Sequence, residues 1–245
     1  MAFRHKYYFF MNYTEYLGRG RALFLENLSI DLVIIGYQNK RLKCLMLQFG
    51  DKWLLPGGFI KKEESVNTAV YRILEERTGL KEPHLQFLSV FGHKDREFSE
   101  EFEQFFKTKK LDWDKNYWFN NRFVTLAYYS LVDIEKTHPA IHEVFESYQW
   151  FDFEELPTIW MDHESIVKKA REQLKDDIKQ EQIVHHLLPS EFTMPSLHEL
   201  HESILEQRID RSRFQKKMLA SKLFERLPKL EKKSPGRNPF QYRLK

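Results

Sequence analysis

Residues 211–245 gather twelve Lys and Arg against only Glu225 and Glu231, a local charge of +10 in a chain whose net charge is +3. On a helix that starts after Asp210, Arg213, Lys216, Lys217 and Ala220 share an arc of about 100°. Cations around one small residue let a backbone approach a groove. Arg211 and Arg213, in the first turn, are placed for phosphates or base edges. Lys232, Lys233, Arg237 and Asn238 follow around a Pro-Gly turn. Residues 1–210 sum to −7, so a basic end sits on an acidic body. Two readings are open: a module that meets a polyanion, or a solvated charged tail.

A second group with chemical potential is aromatic. Trp113, Tyr117, Trp118, Phe119, Asn120, Asn121 and Arg122 close a long excursion over 97–121 that begins with the acidic-aromatic run EFSEEFEQFF. Indole and phenol rings stack on the C–H face of a pyranose, and Asn and Arg side chains hydrogen-bond hydroxyls, which suits a small-molecule pocket. The alternative is a packed flap. His93 and Asp95 follow a strand ending at Phe91-Gly92, at a position for either a ligand contact or a loop hydrogen bond. Cys44, the only cysteine, lies in an apolar run, which predicts a buried thiol and excludes a disulfide framework or a multi-Cys zinc site. His185-His186 face different ways on a helix, and His198 and His201 lack further ligands, so no metal site and no cofactor are expected. No Walker A, G-x-S-x-G or dinucleotide glycine motif is present.

The stretch GFIKKEESVNTAVYRILEERTGL, residues 58–80 after LLPG, resembles the Nudix box. Gly58, Glu64, Arg72, Leu74, Glu76, Gly79 and Leu80 fall in register. Members of that family hold divalent metal at a pyrophosphate with closely spaced carboxylates, because Mg²⁺ wants hard oxygen ligands. The resemblance places three such carboxylates at 73, 76 and 77, on one face of the helix. Here they read Ile73, Glu76 and Arg77, so the face changes from −3 to zero. Glu75 projects about 100° away and is no substitute. The resemblance therefore implies a Nudix fold without competent metal-dependent hydrolysis and with no catalytic residue. Arg77 is left either to hold an anion or to make a salt bridge.

These groups need elements to carry them. SIDLVIIG and LKCLMLQ, either side of Gln38-Asn39-Lys40, predict a β-hairpin. Val66, Ala69, Val70, Ile73 and Leu74 repeat at helical spacing and predict an amphipathic helix over 65–77, ended by Thr78-Gly79. Further strands are expected at 85–91, 123–132 and 148–153, and a long helix at 162–188, stopped by Pro189. Leu197, Leu200, Ile204 and Leu205 mark a short helix. Asp210 caps the next, predicted over 211–224, with Ile209 and Phe214 at the spacing of a hydrophobic staple. An alternating FQYRL strand closes the chain. No run of 18 apolar residues exists and the N-terminus lacks a signal-peptide pattern, so a cytoplasmic location without membrane contact is expected.

Helix, helix, basic helix and hairpin is the order of a winged helix-turn-helix. The segment from EFTMPSLHEL to FQYRL is similar to the C-terminal winged helix of the Nudix-related transcription regulators, and MDHESI resembles their linker. The resemblance implies an α/β (α+β) chain with four parts. They are an N-terminal arm (1–24), an effector-binding Nudix α/β/α sandwich (25–160), a connecting helix (161–189) and a winged helix (190–245) that binds double-stranded DNA as a homodimer. The aromatic excursion favours the sugar-responsive, arabinose-type branch, with Arg77, His93, Asp95, Trp113, Tyr117, Trp118, Asn120 and Arg122 as candidate effector contacts. The DNA contacts are Arg211, Arg213, Lys216, Lys217, Lys232, Lys233, Arg237 and Asn238. The alternative function is a metal-dependent hydrolase of nucleoside diphosphate derivatives with a nucleic-acid-binding tail.

Overall fold

A computed structural model describes residues 19–81, 83–140, 147–180, 183–230 and 238–245. A seven-stranded mixed sheet forms the first part. Its main path runs β3 (Lys52–Leu54), β2 (Arg41–Phe49), β1 (Phe24–Gln38), β6 (Val124–Leu131) and β5 (His84–Phe91). β4 (Gly57–Lys61) also pairs with β1, and β7 (Ser147–Asp152) with β2. β1 and β6 are parallel, with Asp31 opposite Ala127, while β1–β2 is the expected hairpin, with Ile35 opposite Cys44. β1 is longer than the SIDLVIIG run because its first half pairs with β4 on one side and β6 on the other.

Apolar residues on the two sheet faces build two cores, as alternation requires. On one face Ile30, Leu32 and Ile34 meet Ala69, Val70, Ile73 and Leu74 of α1 (Val66–Thr78). Ser65 caps α1 by accepting the Thr68 N–H, and Gly79 ends it at φ 72°. On the other face Val33, Ile35, Cys44 and Met46 meet Ile166, Val167, Ala170 and Leu174 of α3 (His163–Gln180).

The excursion over 97–121 is not all loop. Its acidic-aromatic run forms α2 (Ser99–Thr108), which buries Phe106 under the aromatic cluster. The connecting helix ends sooner than its sequence pattern suggests: α3 stops at Gln180, and residues 183–187 form a 3-10 turn.

The C-terminal part is built from α4 (Met194–Leu205), α5 (Arg211–Ala220) and a three-stranded sheet. The strand order there is β8 (Phe192–Thr193), β10 (Phe240–Leu244), β9 (Phe224–Lys229). α5 ends four residues before Phe224, because Lys222 turns to φ 58° and Phe224 opens β9. One apolar core runs through both parts: Leu197, Leu200, Phe214, Met218 and Tyr242 are continuous with the α3 face. Among the described residues no helix is long and apolar enough to cross a membrane.

Candidate functional site

The box helix delivers its polar groups to the start of β4. Arg72 lies at the centre: Nε and Nη2 donate to Glu64 at 3.0 and 2.6 Å, Nη1 to Glu76 at 3.2 Å, and Nη2 to the Phe59 carbonyl at 2.9 Å. Glu64 also accepts the Lys61 N–H at 2.8 Å. Burial pushes the Glu64 carboxyl up, but the bonds from Arg72 and Lys61 outweigh it and hold the group below the usual carboxylate range. Glu76, the remaining acid of the expected metal face, is thus engaged by a guanidinium.

The other two positions are no better suited to a cation. Ile73 is buried in the core, and a Cβ on Gly58 would stand 3.0 Å from its side chain. Arg77 is buried and folds back, with Nε and Nη2 donating to the Gly57 carbonyl at 3.2 and 3.1 Å. A metal needs several free oxygens here. An aliphatic, a cation and a neutralised carboxylate do not supply them, so the residues present do not fit the family's metal.

Gly57 opens β4 just after a short turn that ties three elements together. A Cβ at this position would stand 2.6 Å from the Ile30 carbonyl, so only glycine permits the approach to β1. Pro56 accepts the Leu32 N–H at 2.8 Å, Gly57 accepts Arg77, and the Leu55 N–H donates to His163 Nδ1 at 3.0 Å. The last bond fixes the proton of a neutral His163 on Nε2, which faces Asp31 Oδ1 at 3.7 Å. Burial lowers the His163 pKa, and Arg96 adds to this against the opposing Asp31 and Asp162.

Arg96 completes this cluster. It is 5% exposed, and its Nη2 donates to Asp31 Oδ2 at 3.1 Å, its Nε to Asp162 Oδ2 at 2.9 Å and its Nη1 to the Phe123 carbonyl at 3.2 Å. Neither Arg96 nor Asp31 stands out in the sequence, since their pairing spans 65 residues. Asp162 and His163 stood out only through the linker resemblance.

The expected effector residues divide. His93 and Asp95 are exposed and paired with each other, and His93 holds the Asp95 carboxyl below its usual range. Arg122 is exposed, with Nη2 on the Gly92 carbonyl at 2.6 Å. His93 and Asp95 share their loop with Arg96, and Arg122 lies on the neighbouring loop before β6. Trp118 is only 4% exposed, stacked 5.5 Å from Phe24 and edge-on at 4.5 Å to Phe59, so it is a core residue with no face for a sugar. Trp113 and Tyr117 pack on Phe106 and Phe119, and Asn120 donates to the Lys115 carbonyl at 2.9 Å. These groups hold the excursion together. Arg77, as described, faces the chain itself.

The candidate nucleic-acid interface is the exposed face of α5. Asp210 caps it by accepting the Arg213 N–H at 2.7 Å, and Phe214 and Met218 anchor the opposite face. Arg211, Arg213, Lys216 and Lys217 are all exposed. Lys216 points farthest from Phe214, whereas Lys217 lies to the side of α4, near enough to depress the His201 pKa. That histidine is pushed down to about 4, chiefly by burial. His198 and His201 are both structural, edge-on to Phe214 at 5.1 and 4.7 Å. Lys232, Lys233, Arg237 and His185 fall outside the described residues or side chains, and Asn238 lies just before β10. Among the described residues no group of three or more His, Cys, Asp or Glu is placed to hold a metal.

A small-molecule fold with a broken metal face, joined to a helix-turn-helix with a wing, defines a class of two-part regulator. The Nudix domain model matches residues 28–170, and the model of the NrtR DNA-binding winged helix domain matches residues 184–244. The chain belongs to the Nudix family, in its transcription-regulator form with a C-terminal winged helix. A curated relative, the ADPR responsive transcriptional repressor NtrR of Acinetobacter baylyi, is 23% identical over 223 residues, 87% of this chain and 80% of that one. Among solved structures, Shewanella oneidensis NrtR complexed with a 27mer DNA has a TM-score of 0.65 at 24% identity, covering 90% of this chain and 94% of that one. A MutT/nudix family protein from Enterococcus faecalis has the same score and identity, covering 90% and 88%.

Proposed function

We propose that this protein is a transcriptional repressor that binds double-stranded DNA through its winged helix and releases it when ADP-ribose occupies the Nudix domain. In this reading residues 25–160 form the effector unit, 161–189 the link and 190–245 the DNA-binding unit, and two copies bind an inverted repeat. The observation that carries it is the box helix itself. Ile73, the Arg72–Glu76 pair and Arg77 on Gly57 leave the domain without the oxygen cluster that cutting a diphosphate needs, which supports a domain that keeps its ligand. The effector named for the Acinetobacter relative, which aligns across both parts of this chain, supports ADP-ribose over an arabinose-type sugar. The packing of Trp113 and Trp118 into the excursion also speaks against the stacked pyranose expected there.

Arg122, His93 and Asp95 line the loops beside Arg96 and are the proposed effector contacts; Arg213 and Lys216 are the proposed DNA contacts. The test is selection of duplexes from a random pool, followed by binding titrations with and without ADP-ribose. Enrichment of an inverted repeat whose affinity falls on adding ADP-ribose is the expected result. Failure to enrich any duplex overturns the reading.

A further inference from the structure

The connecting helix is held at its two ends by different kinds of bond. At its start, Asp162 is bound by Arg96 at 2.9 Å and His163 by the Leu55 N–H at 3.0 Å. The turn that leads in is strained, since Met161 adopts φ 60° without being glycine. Farther along, Tyr129 Oη donates to Asp177 at 2.5 Å, a bond to the central strand β6. Between these points Arg171 and Lys175 both pair with Glu206, the left-handed residue that joins α4 to α5. α3 is therefore the one described helix that touches both the buried cluster of the sensor and the hinge of the helix-turn-helix.

The buried cluster is unbalanced. One guanidinium, Arg96, serves two carboxylates, and the neutral His163 adds no charge. The two acids are not equivalent. The Asp31 side chain is 10% exposed, and its second oxygen faces His163. The Asp162 side chain is 28% exposed, and its Oδ1 has no hydrogen-bond partner among the described residues. Asp162 is thus the less enclosed of the two partners of Arg96, and its unpartnered Oδ1 is itself buried. The loops that carry His93 and Arg122 meet at Arg96, whose carbonyl accepts the Phe123 N–H at 3.3 Å and whose Nη1 donates to the Phe123 carbonyl at 3.2 Å. A phosphate oxygen competes well for a guanidinium, because the planar fork fits it as it fits a carboxylate.

We propose that Arg96 is the switch between the two domains: the diphosphate of the effector takes Arg96 from Asp162, which removes one of the two ties at the start of α3. The strain at Met161 relaxes on release. α3 then tilts about the Tyr129–Asp177 bond and carries Arg171 and Lys175, with Glu206 and α5, out of the position that fits DNA. With the pivot at Asp177, the start of this 18-residue helix swings on an arm of about 21 Å and Arg171 on one of about 9 Å. The differential interaction required of an allosteric ligand is the exchange of one Arg96 partner for another. This inference rests on the ADP-ribose reading above.

The experiment uses the full chain and its selected duplex. DNA affinity is titrated with and without ADP-ribose for the wild type and for Asp162→Asn, and ADP-ribose binding is measured separately by calorimetry. In the wild type a coupling within the usual range of about 5–150-fold is expected. Asp162→Asn should bind DNA in the absence of ADP-ribose as weakly as the wild type does in its presence. It should still bind ADP-ribose, and ADP-ribose should change its DNA affinity by less than about 2-fold. A second measurement needs no variant: ADP-ribose should speed amide hydrogen exchange in the first turn of α3, residues 163–167, of the wild type. Unchanged protection there, or an Asp162→Asn protein that responds as the wild type does, overturns the switch and leaves the repressor reading standing. A wild type whose DNA affinity ignores ADP-ribose overturns the effector reading and the switch together.

Discussion

Arg72 shows how much of the box helix's seat a single side chain can hold. It binds Glu64, Glu76 and the Phe59 carbonyl at once, and so locks α1 onto β4. Because the Glu64 carboxyl is held below its unfolded value, its contribution to stability is present above the unfolded pKa. It is lost as pH falls below the ordinary glutamate range and through the folded value. Glu64→Gln should therefore lower the melting midpoint at pH 7, by the equivalent of about 1–3 kcal/mol for a lost charge-assisted bond. The gap to the wild type should close as melts are repeated towards pH 3; a gap that stays constant over that range would mean that Glu64 acts through packing alone. At this scale the sequence was readable where identity mattered and unreadable where distance did. Ile73 and Arg77 announce a broken metal face because each stands in a fixed register. Arg96 is one arginine among many until the fold brings it to Asp31 and Asp162, 65 and 66 residues away.

Among the elements, α5 is the best guide to DNA recognition. The order of helices and Asp210 as a cap could be read directly, because caps and staples are local. The far end could not: Leu219 and Leu223 continue an apolar spacing past the point where Lys222 turns to φ 58°. Likewise the acidic-aromatic run does not announce a helix, because α2 shows its apolar side only when the aromatic residues of the same excursion cover it. The geometry of α5 ranks its cations. Lys216→Ala should weaken binding to all duplexes and reduce the salt slope by about one, the signature of a lost phosphate contact. Lys217→Ala, turned towards His201, should change it less. Equal losses in a salt titration would show that the helix sits in the groove rotated from this orientation. Asp210→Ala removes the bond to Arg213 N, and should cost about 1 kcal/mol of stability and weaken DNA binding by loosening the first turn.

Across the whole molecule, sensor and reader share one core and a set of ties, so their relative position is a property of the fold and not of a flexible tether. Ser203 donates to the Lys40 carbonyl at 2.8 Å and Glu199 pairs with Lys40 at 2.9 Å, which joins the tip of the β1–β2 hairpin to α4. If the Nudix domain senses ADP-ribose as proposed, it must keep that ligand intact for as long as the signal lasts; a hydrolase would erase it. With Ile73 in the core, Glu76 held by Arg72 and Arg77 held on Gly57, the box offers no oxygen cluster to a metal. We therefore expect ADP-ribose to be recovered unchanged after prolonged incubation with the protein and Mg²⁺ or Mn²⁺, at concentrations that release DNA. Chromatography of the nucleotide pool is the measurement. Turnover near 1 s⁻¹, within the ordinary range for enzymes, that disappears in Glu76→Gln would show that the ligands had been rebuilt from elsewhere. The acids of α2, Glu100, Glu101 and Glu103, would then be the first to substitute, and the protein would be a hydrolase that also binds nucleic acid.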